Sequence, residues 1–245
     1  MIKELTSRRF FTAAECNAQK EMPLTTLVQR LIEVATEHAN AIDIGYSRLC
    51  QYGCTWVLSR VTLEIDRMPG VNEYYSLTTW VENVTRLYSE RCFEMTDDGG
   101  NVMGRARTMW IAINVESRRP ADLTMIEGMG QAVNQDRVCN VERCPKPRAV
   151  NEPDGEDFYR FRTCDIDFNR HVNSTRYVEL ILDHWPVDFF DANRVSMFDI
   201  SYHHEALFGQ DATVRCKTDD DGVHHIEIKG DDATFVLATL ETVSL

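Results

Sequence analysis

The chain has 245 residues, 43% hydrophobic and 27% charged, which is the composition of a soluble globular protein long enough to bury one large core or two ordinary ones. A net charge of −13 weighs against nucleic acid as the main partner, because phosphate binding needs a basic surface. No apolar run approaches the ~20 residues of a bilayer span, and the opening Met1-Ile2-Lys3-Glu4-Leu5-Thr6-Ser7-Arg8-Arg9 has no signal-peptide core, so a cytoplasmic protein is expected.

In chain order, a short strand is predicted over residues 8–15. A helix follows over 24–42, where Leu24, Leu27, Val28, Leu31, Ile32, Ala35, His38, Ala39 and Ile42 recur at helical spacing as one apolar stripe. His38 on that stripe reads as a core or pocket-lining residue. Strands are predicted over 55–65, 74–82, 86–95 and 102–114. Arg67-Met68-Pro69-Gly70 breaks the first from the second, and Asp97-Asp98-Gly99-Gly100 is a hairpin signal between the last two.

Residues 119–156 are rich in Pro, Gly, Asn and charge and read as a linker, with a short helix near 125–132. The second half repeats the first: a strand over 157–163, a helix over 173–184, then strands over 195–205, 212–217, 223–229 and 234–243. A helix with one apolar stripe must bury it against one face of an antiparallel sheet. The expected class is therefore α+β, a tandem (double) hot-dog fold in which antiparallel sheets each wrap a central helix. Its boundaries are residues 1–118, a linker over 119–156, and 157–245.

The eight cysteines form no C-x-x-C pair, and reduced, mostly buried thiols are expected in a cytoplasmic protein. The His203-His204 and His224-His225 doublets would point to opposite faces of a strand, so neither metal nor cofactor is expected. Local basic clusters stand out against the acidic background: Arg118-Arg119, Arg143 to Arg148, Arg160 with Arg162, and Arg170 with Arg176. They read as solvated charge or as contacts for an acidic protein.

The chemistry concentrates in Asp165-Ile166-Asp167-Phe168-Asn169-Arg170-His171-Val172-Asn173. Asp167, Asn169 and His171 alternate, so extended backbone would bring a carboxylate, an amide and an imidazole to one face. Asp165 reads as a turn or cap residue, and Asn173 as the N-cap of the following helix.

This stretch, with Tyr177 after it, resembles the D-x-D-x-N-x-H-V-N-N-x-x-Y signature of the acyl-acyl-carrier-protein thioesterases of plants and bacteria. Further on, Tyr202-His203-His204-Glu205-Ala206 is similar to that family's Y-x-x-E-C segment. In the first half, Asp66-Arg67-Met68-Pro69, Thr79-Trp80-Val81 and Arg105-Ala106-Arg107-Thr108-Met109-Trp110 also match. The resemblance implies one active site per chain, an acyl chain held by the N-terminal hot dog, and thioester hydrolysis that releases a free fatty acid. It implies Asp167 and Glu205 as base or nucleophile, Asn169 and His171 as orienting and polarising groups, and acyl carrier protein with its phosphopantetheine arm as partner. It also raises the expectation that Arg170 and Arg176 meet that partner.

Ala206 stands where many plant members carry a cysteine, which excludes a cysteine nucleophile at that position. Two other readings stay open: an acyl-CoA thioesterase, and a non-catalytic acyl-binding protein that uses a hot-dog pocket. A serine hydrolase of the G-x-S-x-G kind is excluded because the motif is absent. A homodimer is compatible with the sequence but not required, since two hot dogs already lie in one chain.

Overall fold

The structure, a computed structural model, describes residues 2–142 and 145–245. Arg143 of the basic cluster and Cys144 lie outside the described residues. Two compact units emerge, Met1–Pro23 with Leu27–Glu142, and Leu24–Thr26 with Arg143–Leu245.

The apolar stripe of the first half forms helix α1 (Leu24–Ala41), with Pro23 at its N-cap. Proline suits the position before a first turn, where no amide partner is lost. The helix stops where Asp43 adopts φ 59° and Ile44 N–H reaches back to the Ala39 carbonyl at 2.9 Å, a left-handed cap. Leu27, Val28, Leu31, Val34, Ala35 and His38 are buried along it. Burying each of the larger aliphatic side chains contributes about 1.5–3 kcal/mol.

In the first unit, β1 (Glu4–Phe10) precedes α1, and a short α2 (Tyr46–Gln51) follows it, the latter without a strong periodic signal. Then come β2 (Cys54–Ile65), β3 (Tyr74–Val84), β4 (Ser89–Asp97) and β5 (Val102–Asn114). They form an antiparallel sheet in the order β1-β3-β4-β5-β2. The first strand lies earlier than the predicted 8–15. Glu15 accepts the Thr12 backbone N–H at 3.2 Å and turns residues Ala13–Glu15 into a 3-10 helix instead.

The predicted helix near 125–132 is two 3-10 turns, Leu123–Met125 and Gly130–Ala132. Gly128, at φ 86°, separates them in a conformation no helix contains. This stretch is fastened to the first unit through Ala121 N–H to Ala112 O (2.8 Å), Leu123 N–H to Arg86 O (2.9 Å) and Asn134 N–H to Val81 O (2.8 Å). The expectation of reduced thiols also needs correction: Cys92 on β4 and Cys139 are joined as a disulfide, with Cα atoms 5.9 Å apart. They sit in a small apolar cluster with Trp80 and Val141, contacts that cysteine spacing along the chain cannot reveal.

The second unit repeats the order. It contains β6 (Gly155–Arg160), α3 (Ser174–Leu182), α4 (Val187–Ala192), β7 (Asn193–Tyr202), β8 (Asp211–Thr218), β9 (His224–Lys229) and β10 (Thr234–Ser244). Its sheet runs β6-β8-β9-β10-β7, antiparallel throughout, which matches the first unit strand for strand. Tyr177 of α3 packs edge-on against Phe161 and Tyr202, with ring centroids 5.7 and 6.2 Å away, and lies 6.5 Å from Phe235. Each unit is thus an antiparallel sheet with one principal helix, the α+β hot-dog pattern. Among the described residues, no helix is long and apolar enough to cross a membrane.

Candidate active site

The D-x-N-x-H stretch is not an extended strand. Ile166 and Val172 form an antiparallel bridge, and residues 167–171 between them make a tight turn. Asp167 N–H donates to the His171 carbonyl at 2.8 Å, and Arg170 takes φ 67° at the apex. The Asp167 carboxylate closes the turn from within. Its Oδ1 accepts the backbone N–H groups of Asn169 (2.8 Å) and His171 (3.2 Å), and Asn169 Nδ2 lies 3.5 Å from Oδ2. The single polar face expected from alternation is therefore absent. Asp and Asn favour local side-chain to backbone bonds, and these outcompete extension.

The structure nonetheless gathers the predicted residues. Val172 N–H donates to the Ala206 carbonyl at 2.9 Å, tying the turn to the loop after β7. That loop brings Glu205 to His171, with Oε1 3.3 Å from Nδ1. His171 is partly buried, whereas Asn169 and Glu205 are exposed. Asp167, Asn169, His171 and Glu205 thus form one constellation, built as a turn and a loop rather than along one strand.

Tyr177 is the residue whose role the sequence leaves unclear. It belongs to the apolar side of α3, yet its hydroxyl accepts the Ala206 backbone N–H at 3.3 Å. Burial pushes its phenol well above the usual range, and the carboxylates of Glu205 and Asp167 push the same way. The hydroxyl therefore stays protonated beside both acids and anchors the loop that presents Glu205. Ala206 itself is fully buried.

Asp165 is a structural residue, as expected. Only 6% exposed, it accepts the Arg162 N–H at 2.6 Å and the Tyr159 hydroxyl at 3.0 Å, and it pairs with Arg176 Nε at 3.1 Å. Arg176 also stacks over the Tyr159 ring at 4.6 Å. It is thereby half-buried and engaged by its own unit, whereas Arg170 is exposed. Asn173 caps α3 by accepting the Thr175 N–H at 3.0 Å.

In the first unit, a narrow apolar cleft lies between α1 and the sheet, lined by Leu27, Leu31, Leu63, Phe93, Met95 and Ala106 among others. Gly104 on that wall lets β5 pack closely against β2, because a Cβ there would meet the Glu64 carbonyl at 2.8 Å. Among the described residues, the group whose ligand atoms could surround a metal is Glu82, Cys92 and Cys139, within 4.8 Å of one another. The two sulfurs are joined to each other and Arg107 is paired with Glu82, so the group offers no open thiolate pair.

Family models for the acyl-ACP thioesterase N-terminal and C-terminal domains match residues 6–125 and 150–238. A chloroplastic palmitoyl-acyl carrier protein thioesterase of Gossypium hirsutum is 24% identical over 83% of this chain and 52% of its own length. A chloroplastic oleoyl-acyl carrier protein thioesterase 1 of Arabidopsis thaliana is 23% identical over 78% and 57%. The chain thus spans about half the length of the curated relatives it matches. Among solved structures, an acyl-ACP thioesterase from Bacteroides thetaiotaomicron is similar at TM-score 0.90 and 29% identity, covering 98% of both chains. A 12:0-ACP thioesterase from Umbellularia californica shares the fold at TM-score 0.87 and 18% identity, also covering 98% of both chains.

Proposed function

The chain belongs to the acyl-ACP thioesterase family, and on that premise we propose that it hydrolyses the thioester of fatty acyl-acyl-carrier protein to release a free fatty acid. Residues 157–245 supply the chemistry, and residues 1–118 hold the acyl chain in the cleft beneath α1. The observation that carries this reading is the contact of Glu205 with His171 beside the Asp167 turn. It is an acid–imidazole pair held on fixed backbone, as water activation requires.

In the proposed reaction, Glu205 accepts a hydrogen bond from His171 Nδ1–H and so orients the ring. The lone pair on Nε2 takes a proton from water as the oxygen attacks the thioester carbon. The resulting imidazolium is stabilised by the Glu205 carboxylate, the general role of an acid behind a catalytic imidazole. The Asn169 amide at the exposed tip of the turn donates to the developing oxyanion. Collapse of the tetrahedral intermediate breaks the C–S bond, and the departing thiolate takes the proton from His171. Asp167, the second carboxylate, fixes the backbone of Asn169 and His171. No metal or cofactor enters the scheme.

The partner in this reading is acyl carrier protein, approached through its phosphopantetheine arm, with the exposed Arg170 as a contact. The protein works in the cytoplasm, in fatty acid biosynthesis, and needs no second copy of itself to complete the site. The test is thiol release from matched acyl-carrier-protein and acyl-CoA substrates. Preferential turnover of carrier-protein substrates supports the reading, and faster acyl-CoA turnover moves the protein to that substrate class. Acyl binding with no turnover on any chain length sinks it.

A further inference from the structure

Beyond the residues that line the cleft under α1, the same wall of the first unit turns polar. Strand register places Met95 opposite Gly104, Phe93 opposite Ala106, and Arg91 opposite Thr108. The first two pairs line the cleft. Side chains two apart on a strand share a face, so Arg91 continues the same wall about 7 Å further on. Helix α1 repeats the progression: Leu27 and Leu31 line the cleft, and Ala35 and His38 follow on the same stripe.

Arg91 and His38 meet there. Arg91 is 5% exposed and His38 is fully buried. Arg91 Nη1 donates to His38 Nδ1 at 2.7 Å and to Thr79 Oγ1 at 3.3 Å. His38 is therefore the acceptor toward Arg91, and its other ring nitrogen lies 3.3 Å from the Ile2 carbonyl. Burial, reinforced by the Arg91 charge, pulls the imidazole down to about 4, so it is neutral at pH 7. Burial also pulls the guanidinium down, to about 10, which leaves it charged.

A guanidinium has five N–H donors, and both contacts use Nη1. Among the described residues, Nη2 and Nε meet no acceptor and no carboxylate forms an ion pair with Arg91. Thr108 spends its hydroxyl proton on the Arg91 carbonyl at 3.2 Å. A largely buried charge without a counterion is costly, and donors left without a partner on the wall beyond an apolar cleft call for an oxygen.

We propose that Arg91, positioned by His38, forms an oxygen-binding subsite at the end of the acyl cleft, which selects acyl chains bearing a hydroxyl or carboxylate oxygen over plain chains of the same length. The inference rests on the reading of this cleft as the acyl site. A saturated methyl terminus would bury the guanidinium without giving it a partner. An oxygen in the same place takes up its free donors, and a site built to hydrogen-bond a substrate group discriminates strongly against the analogue lacking it.

The test pairs two measurements on the full chain. The first is kcat/KM for plain, ω-hydroxy and ω-carboxy acyl-carrier-protein substrates over a series of chain lengths. The second is calorimetric binding of the corresponding acyl N-methylamides, whose reacting end carries no carboxylate of its own and which need no turnover. Wild type should favour an oxygenated chain by about tenfold or more at its best length, the usual worth of a hydrogen bond to a charged group. Arg91→Met, an apolar side chain of similar length that relieves the buried charge, should abolish that preference. His38→Gln, whose amide oxygen still accepts from Arg91, should keep it. The relative response to the two oxygenated series tells whether the subsite takes a neutral or an anionic oxygen. Turnover of plain chains with no oxygen preference in either measurement overturns the subsite and leaves the thioesterase reading standing. Absence of all turnover, with oxygenated amides still binding tighter through Arg91, does the reverse.

Discussion

Glu205 Oε1 lies 3.3 Å from His171 Nδ1, although the two residues come from different loops. Two backbone links hold them there: Val172 N–H to the Ala206 carbonyl, and Ala206 N–H to the Tyr177 hydroxyl. The geometry predicts that Glu205→Gln lowers kcat by about 10²–10⁴, the range of a lost acid–base group. Tyr177→Phe should lower it less, because it frees the loop but leaves the carboxylate. Steady-state thiol release with each variant decides this. Equal losses would place the role of Glu205 in the fold rather than in the chemistry.

Asp165 and Asp167 are both carboxylates of the same motif, and the structure separates their tasks. Asp165 is buried and engaged by Arg176, Tyr159 and the Arg162 backbone, whereas Asp167 is only partly buried and holds its own turn. Asp165→Ala removes the buried acceptor of the Arg162 N–H and the Tyr159 hydroxyl, while Arg176 keeps Glu179. It should destabilise the protein by about 1–3 kcal/mol, the cost of leaving buried donors unsatisfied. Asp167→Asn should lower the melting temperature much less while cutting turnover. Thermal melts of both variants, read beside their activities, check the division. A larger stability loss in Asp167→Asn would reverse it.

Long-period patterns made most of the fold legible in the sequence. The stripe from Leu24 to Ile42 and the strand over 102–114 match α1 and β5 because burial on one face imposes a period that local chemistry does not disturb. The candidate site residues were named for another reason, the resemblance of two separate motifs, and the structure brings them together. Its shape was not. Alternation at 167, 169 and 171 implied a strand, but the Asp167 carboxylate found nearer partners in the backbone of its own turn. The Cys92–Cys139 bond was illegible too, since it depends on which strand the segment after β5 folds against.

His38 makes stability depend on acid pH. Its folded value near 4 lies below the ordinary 6.5, so above pH 6.5 neither the folded nor the unfolded chain binds the proton. As pH falls from 6.5 toward 4, the unfolded chain takes up a proton that the folded chain refuses. Stability is lost over that window at about 1.4 kcal/mol per pH unit, close to 3 kcal/mol in all. Urea midpoints at pH 7 and pH 5 should therefore differ less in His38→Gln, which keeps an acceptor for Arg91 and cannot titrate. An unchanged difference would assign the acid sensitivity to other groups.

The disulfide gives the last expectation. Cys92 and Cys139 are 47 residues apart in sequence, and closing a loop of that length in the unfolded chain is worth about 4 kcal/mol in the chain-entropy account. The bond ties β4 to the segment that follows β5 and covers Trp80 and Val141. Eight cysteines with one pair joined should leave six thiols to react in denaturant without reductant, and eight with it. Reductant, or the double change Cys92→Ala with Cys139→Ala, should lower the melting temperature by several degrees, more than twice the effect of Cys50→Ala on an exposed cysteine. Eight reactive thiols from the start, with a melting temperature indifferent to reductant, would show that the pair stays reduced and that this segment is held by apolar packing alone.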